Sequence, residues 1–168
     1  QFRKFRLKKA TVKDVLKAVA HIIYPVKVER SKGREKGYLY FQDFIPGNKA
    51  DYRVIVVGDK AFAIKRMVRK NDFRASGSGH IIYDRNEIDP GCVRHAFSLN
   101  EKLKTQCIAC DFVIDSDNTP LVVEVSYGFM APAYDRCPGY WDQQLNWHEG
   151  SFNPYGWMVE NLIDGLKR

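Results

Sequence analysis

The sequence predicts an α+β fold, an antiparallel β-sheet packed with helices, and three observations carry that expectation. Two apolar runs around residues 110–114 and 121–126 flank the polar cluster Asp115-Ser-Asp-Asn118, which reads as one hairpin. Two more, at 51–57 and 61–67, flank Gly58-Asp59, a strong signal for a second. Residues 12–23 and 90–103 each follow a capping residue and place apolar side chains at helical spacing.

Taken in order, residues 2–8 alternate apolar and basic side chains, as a strand with one buried face does. That strand begins at once, with no initiator Met before Gln1, so an upstream portion is expected. Thr11 with Asp14 three residues on forms a capping box, and Val12, Val15, Leu16, Val19 and Ile23 make the apolar stripe of a helix that Pro25 ends. Residues 26–37 are charged and glycine-bearing, hence a loop. Residues 38–45 read as a strand stopped by Pro46-Gly47-Asn48. In the next hairpin, counting outward from Gly58-Asp59 sets Asp51 opposite Arg66, an ordinary cross-strand pair on its own. Residues 69–80 bring Arg74, Ser76, Ser78, Gly77 and Gly79 close in sequence to Arg66 and Arg69, a composition suited to an anion.

Asp89 caps and Pro90 opens a helix whose inner side carries Val93, Ala96, Phe97 and Leu103. After Ser126 comes an aromatic stretch too rich in rings for disorder. Ring packing accounts for most of it, with His148 and Glu149 able to contact a polar substrate. A closing helix over 157–166 is expected to dock Met158, Leu162 and Ile163 on the sheet. There is no internal repeat.

At 168 residues and 45% hydrophobic the chain can bury one core. A single domain over 1–168 is expected, with 1–37 as a partial N-terminal subdomain and loop and 38–168 as the larger part. No apolar run approaches the ~20 residues that span a bilayer, and no leader is visible, so a soluble, cytoplasmic protein without membrane contact is expected. Cys107 and Cys110 form a C-x-x-C with no second pair to complete a zinc site, and together with Cys92 and Cys137 they read as buried free thiols. The net charge of +7 attracts polyanions. Twelve Lys or Arg lie between Arg3 and Lys36, yet no aromatics interleave them, so a solvated face is preferred to nucleic acid; a nucleotide phosphate site is a third reading.

The most informative pair is acidic. A turn centred on Asp117 and Asn118 sets Asp111 directly across from Glu124. Like charges facing one another destabilise a sheet, and a cation or a shared proton relieves them. Hard carboxylate oxygens suit Mg2+ bridged to phosphates.

Gln42-Asp-Phe-Ile-Pro46, Asp51-Tyr-Arg-Val-Ile-Val-Val-Gly58, Phe62-Ala-Ile-Lys-Arg66, Asn71-Asp-Phe-Arg74, Cys110-Asp-Phe-Val-Ile-Asp115 and Leu121-Val-Val-Glu-Val-Ser126 occur in that order. Together they resemble the ATP-grasp superfamily, most closely its RimK-type carboxylate-amine ligases. The resemblance implies the back portion of an ATP-grasp domain, lacking the upstream domain and its glycine-rich phosphate loop, so the isolated chain is expected to be inactive. It implies ATP with Mg2+ (or Mn2+) as cofactors, a carboxylate substrate, an amine or thiol acceptor, and an acyl-phosphate intermediate. Residue by residue, Gln42, Asp43, Phe44 and Ile45 resemble the adenine hinge, Asp51 the acid near the ribose, and Lys65 a further nucleotide contact. Arg66 and Arg74 resemble the catalytic basic residues, and Asp111 and Glu124 the metal ligands. Ser126 stands where the family typically has Asn, and its hydroxyl can serve as a third ligand. A binding module without turnover is the alternative from another functional class.

Overall fold

The computed structural model describes residues 11–24 and 41–166. The chain divides into two compact units, Gln1–Asp43 and Phe44–Arg168. In the first, helix α1 spans Val12–Ile23 and starts with the expected capping box: the Asp14 carboxylate accepts from the Thr11 backbone N–H at 2.8 Å, while Asp14 N–H donates to Thr11 Oγ1 at 3.3 Å. The strand expected over 2–8 and the loop over 26–37 lie outside the described residues. The strand expected over 38–45 is corrected where it is described, because residues 41–45 are irregular. Phe44 finds no strand partner there; its ring packs edge-on against Phe73 at 5.3 Å.

The second unit is built on one antiparallel sheet. Its strands are β1 (Ala50–Val57), β2 (Lys60–Met67), β3 (Ile81–Ile82), β4 (Cys107–Ile114), β5 (Pro120–Ser126), β6 (Gly139–Asp142) and β7 (Trp147–Glu149). Their order is β5-β4-β1-β2-β6-β7, with β3 alongside β2. The aromatic stretch thus extends the sheet, which its ring content alone did not announce. Two strands of three and four residues carry little periodicity. Gly139 is required where β6 meets β7, since a Cβ there would collide with the His148 carbonyl and the Trp147 ring.

Helix α2 (Pro90–Leu103) covers one sheet face, with Asp89 Oδ1 accepting from Gly91 N at 2.7 Å. Cys92, Val93 and Ala96 pack there against Val54, Val56, Ile108, Cys110 and Phe112. Leu103, expected to face inward, is exposed because the helix ends there on left-handed Lys104 (φ 53°). The other face holds Ile55, Val57, Phe62, Ile64, Cys107 and Ala109. Phe129, Tyr134, Phe152 and Trp157 gather around the Phe62 ring, at centroid distances of 4.9–6.3 Å. Trp157 and Met158 come from helix α3 (Pro154–Leu166), which begins three residues earlier than expected. Consequently Met158 docks, whereas Leu162 and Ile163 are exposed.

All four cysteines are free and buried, as expected. Strand alternation sends Cys107 to one core cluster and Cys110 to the other, so the C-x-x-C cannot act as a pair. Burial pushes these two thiols up to about 11, and Cys92 and Cys137 to about 12. No described helix is long and apolar enough to cross a membrane.

Candidate functional site

Beyond the apolar rows of the Phe62 face, the strands carry charge. Alternation puts Asp51 and Arg53 on that face from β1, Arg66 from β2, Asp111 from β4, and Glu124 and Ser126 from β5. Asp51 lies across from Arg66, as counted from the sequence, and Arg53 lies across from Asp111. The result is a chain of four charges. Arg66 grips Asp51 with two bonds of 2.7 Å and reaches Asp111 Oδ2 at 2.7 Å. Arg53 Nη1 approaches Oδ1 and Oδ2 of Asp111 at 3.1 and 3.0 Å.

Burial sets the electrostatics. Asp111 is 5% exposed, which is tolerable because two guanidiniums answer it. Burial raises the pKa of Asp51, and the Arg66 bonds only partly offset this. For Arg66, burial acts to lower the pKa, but Asp51 and Asp111 outweigh it and leave the guanidinium more firmly protonated than usual. Tyr134, buried beside them, is pushed up to about 12 by burial, with the arginines pulling the other way. It remains a neutral phenol.

Asp111 faces Glu124, though by a different route from the one counted. The turn is centred on Asp117 alone: Asp115 N–H donates to the Thr119 carbonyl at 3.0 Å, and Ile114 pairs with Pro120. That register would set Asp111 across from Val123. A bulge between Asp111 and Phe112 makes Val123 the extra residue and moves Glu124 into place. Glu124 is exposed and makes no ion pair among the described residues. The Ser126 hydroxyl accepts from Gly128 N at 3.2 Å and donates to Gly128 O at 3.3 Å.

Other expected site residues stand apart. Lys65 lies on the opposite face from Arg66, bonded to Glu87 at 2.7 Å. Arg74 is exposed in the 69–80 loop and paired with Asp72, while Arg69 bonds the Ser76 carbonyl. The structure therefore does not bring Arg74 or Arg69 to Arg66. Gln42 and Asp43 belong to the first unit, Phe44 and Ile45 to the second. Arg53 and Tyr134 were missed. A turn fixes the partners within one hairpin, but Arg53 finds its acid on β4, whose place beside β1 no local signal gives.

The donor set can be tested against a metal. Among the described residues no three His, Cys, Asp or Glu side chains cluster to hold one. Asp111 already receives three guanidinium contacts, and Glu124 has the open carboxylate. Such a set fits Mg2+ that arrives with oxygens of its own from phosphate and water, rather than an all-protein cage.

The family model of the RimK-like ATP-grasp domain matches residues 13–131, well over half of the chain. The chain belongs to the RimK-like ATP-grasp family. Membership makes it an ATP-binding module of the ligase type, in a family that acts on carboxylates and amines in general. Every residue of the four-charge chain, with Glu124 and Ser126, falls inside the match, whereas β6, β7 and α3 lie beyond it. No curated protein matches the chain.

Proposed function

We propose that this RimK-like ATP-grasp domain is the ATP- and Mg2+-binding portion of a ligase that phosphorylates a carboxylate and transfers the acyl group to an amine or thiol. The observation that carries the reading is the placing of Glu124 across from Asp111 on the face that also presents Arg53 and Arg66. Glu124 and Asp111, with Ser126 beside them, would hold the ion; bound Mg2+ offsets the charge of the phosphates. Arg66 is fixed by Asp51, so its guanidinium is already oriented before a ligand arrives, which favours charge that develops in phosphoryl transfer. In this reading Arg74 leaves its exposed pair with Asp72 to meet phosphate, and Gln42, Asp43, Phe44 and Ile45 contact adenine. The carboxylates act as ligands, not as bases.

A second reading, nucleotide binding without turnover, is favoured by one observation: Asp111 is already answered by two arginines and has little left to offer a metal. Calorimetric titration with ATP, with and without Mg2+, in the parent and in Glu124→Gln tests both. Binding that needs the metal and Glu124 is expected. Binding indifferent to both would remove the metal site from the reading, and single-turnover phosphate release with candidate carboxylates separates a ligase from a module that only binds.

A further inference from the structure

On the sheet face opposite Asp111, between the start of α2 and the β6–β7 turn, lies a cleft of about 400 Å3. That volume is in the range of small-ligand sites. Its back wall is aromatic: Trp141 and Trp147 meet edge to face at 4.7 Å, and Ile88 and Pro90 continue the apolar lining. Trp141 pairs across from Ala61, which belongs to the α2 side, so this cleft and the charged site are on different faces. Trp141, Leu145 and Trp147 lie beyond residues 13–131, so the family match does not account for the cleft.

Two features mark this cleft. Leu145 sits at φ 63°, in the left-handed region that branched residues rarely adopt. The turn is built to hold it there: Asp142 Oδ1 accepts from Gln144 N at 3.0 Å and Asn146 N at 2.9 Å, and Leu145 N–H donates to the Asp142 carbonyl at 2.9 Å. The strained residue lines the cleft. The second is Arg85, whose guanidinium lies 5.4 Å from the centre of the Trp147 ring and has no carboxylate partner among the described residues. A cation stacked on an indole is oriented, and a planar guanidinium binds a carboxylate in bidentate fashion.

We infer that this cleft binds an apolar carboxylate, its hydrocarbon body against Trp141, Leu145 and Ile88 and its carboxylate on Arg85. The same chemistry is offered by a free aryl-alkyl acid and by a peptide chain end with a bulky last residue. The inference does not rest on the ATP reading, since neither Arg85 nor either tryptophan belongs to the charged site.

The test uses the full chain with 15N-labelled tryptophan and three probes: 3-phenylpropionate, its carboxamide, and N-acetyl-alanyl-phenylalanine. Indole N–H signals are followed during titration. The carboxylates are expected to shift Trp141 and Trp147 but not Trp157, which packs on the other face. The carboxamide and the exposed-site variant Arg85→Gln are each expected to weaken binding about tenfold or more. Tighter binding of the dipeptide assigns the site to chain ends, and tighter binding of phenylpropionate to small acids. Equal binding of acid and amide, unchanged binding in Arg85→Gln, or no shift with any probe at millimolar concentration would overturn the inference.

Discussion

Asp111 is the most deeply buried charge of the site, and its two arginines determine what each substitution does. Asp111→Ala leaves Arg53 and Arg66 facing each other with one carboxylate fewer, so a loss of about 2–4 kcal/mol in urea unfolding is expected. Glu124→Gln, at an exposed position, is expected to change stability by no more than about 0.5 kcal/mol. It therefore reports on ligand binding without a folding artefact. Asp142 gives a pH signature elsewhere: the His148 ring at 2.9 Å, then Asn146, hold its carboxyl down to about 2. A depressed acid adds stability above its ordinary value of 3.8, and that share is lost as pH falls through about 2. A carboxyl 13C titration should place Asp142 near 2 and move it upward in His148→Ala.

Among elements, the β4–β5 hairpin shows how a correct pairing arises from an incomplete premise. The sequence signals a turn by Asp115, Asp117 and Asn118, but a bulge at Val123 depends on how β5 lies on β4, which no local motif encodes. Removing Val123 takes out the extra residue and leaves Glu124 across from Asp111 in an unbroken ladder. The far-UV spectrum and Mg2+-dependent nucleotide binding should therefore both persist, and a loss of binding would show that the bulge itself shapes the site. The β1–β2 hairpin was legible to the residue because Gly58 (φ 61°) fixes its turn. β6 and β7 were not, being strands of four and three residues joined by a local turn that contains no glycine. Gly139→Ala is expected to cost roughly 1–3 kcal/mol, read from the thermal midpoint.

For the whole molecule, the fold class and two cross-strand pairings of the site, Asp51 with Arg66 and Asp111 with Glu124, could be read from patterns, while the joining of β1 to β4, and with it Arg53, could not. The two-faced sheet also explains the thiols, since each core cluster encloses its own cysteines. Ellman's reagent near pH 8 should label none of the four in the native second unit and all four after unfolding. The double grip of Arg66 has one more consequence, in time. Its bond to Asp51 closes a loop of 15 residues and that to Asp111 one of 45, and short closures come first in folding. Asp51→Asn should then slow refolding, whereas Asp111→Asn should chiefly hasten unfolding, a contrast visible in the two arms of a denaturant chevron. Arg66 is thus spoken for early by its hairpin neighbour, and β4 docks against a guanidinium already aimed at it.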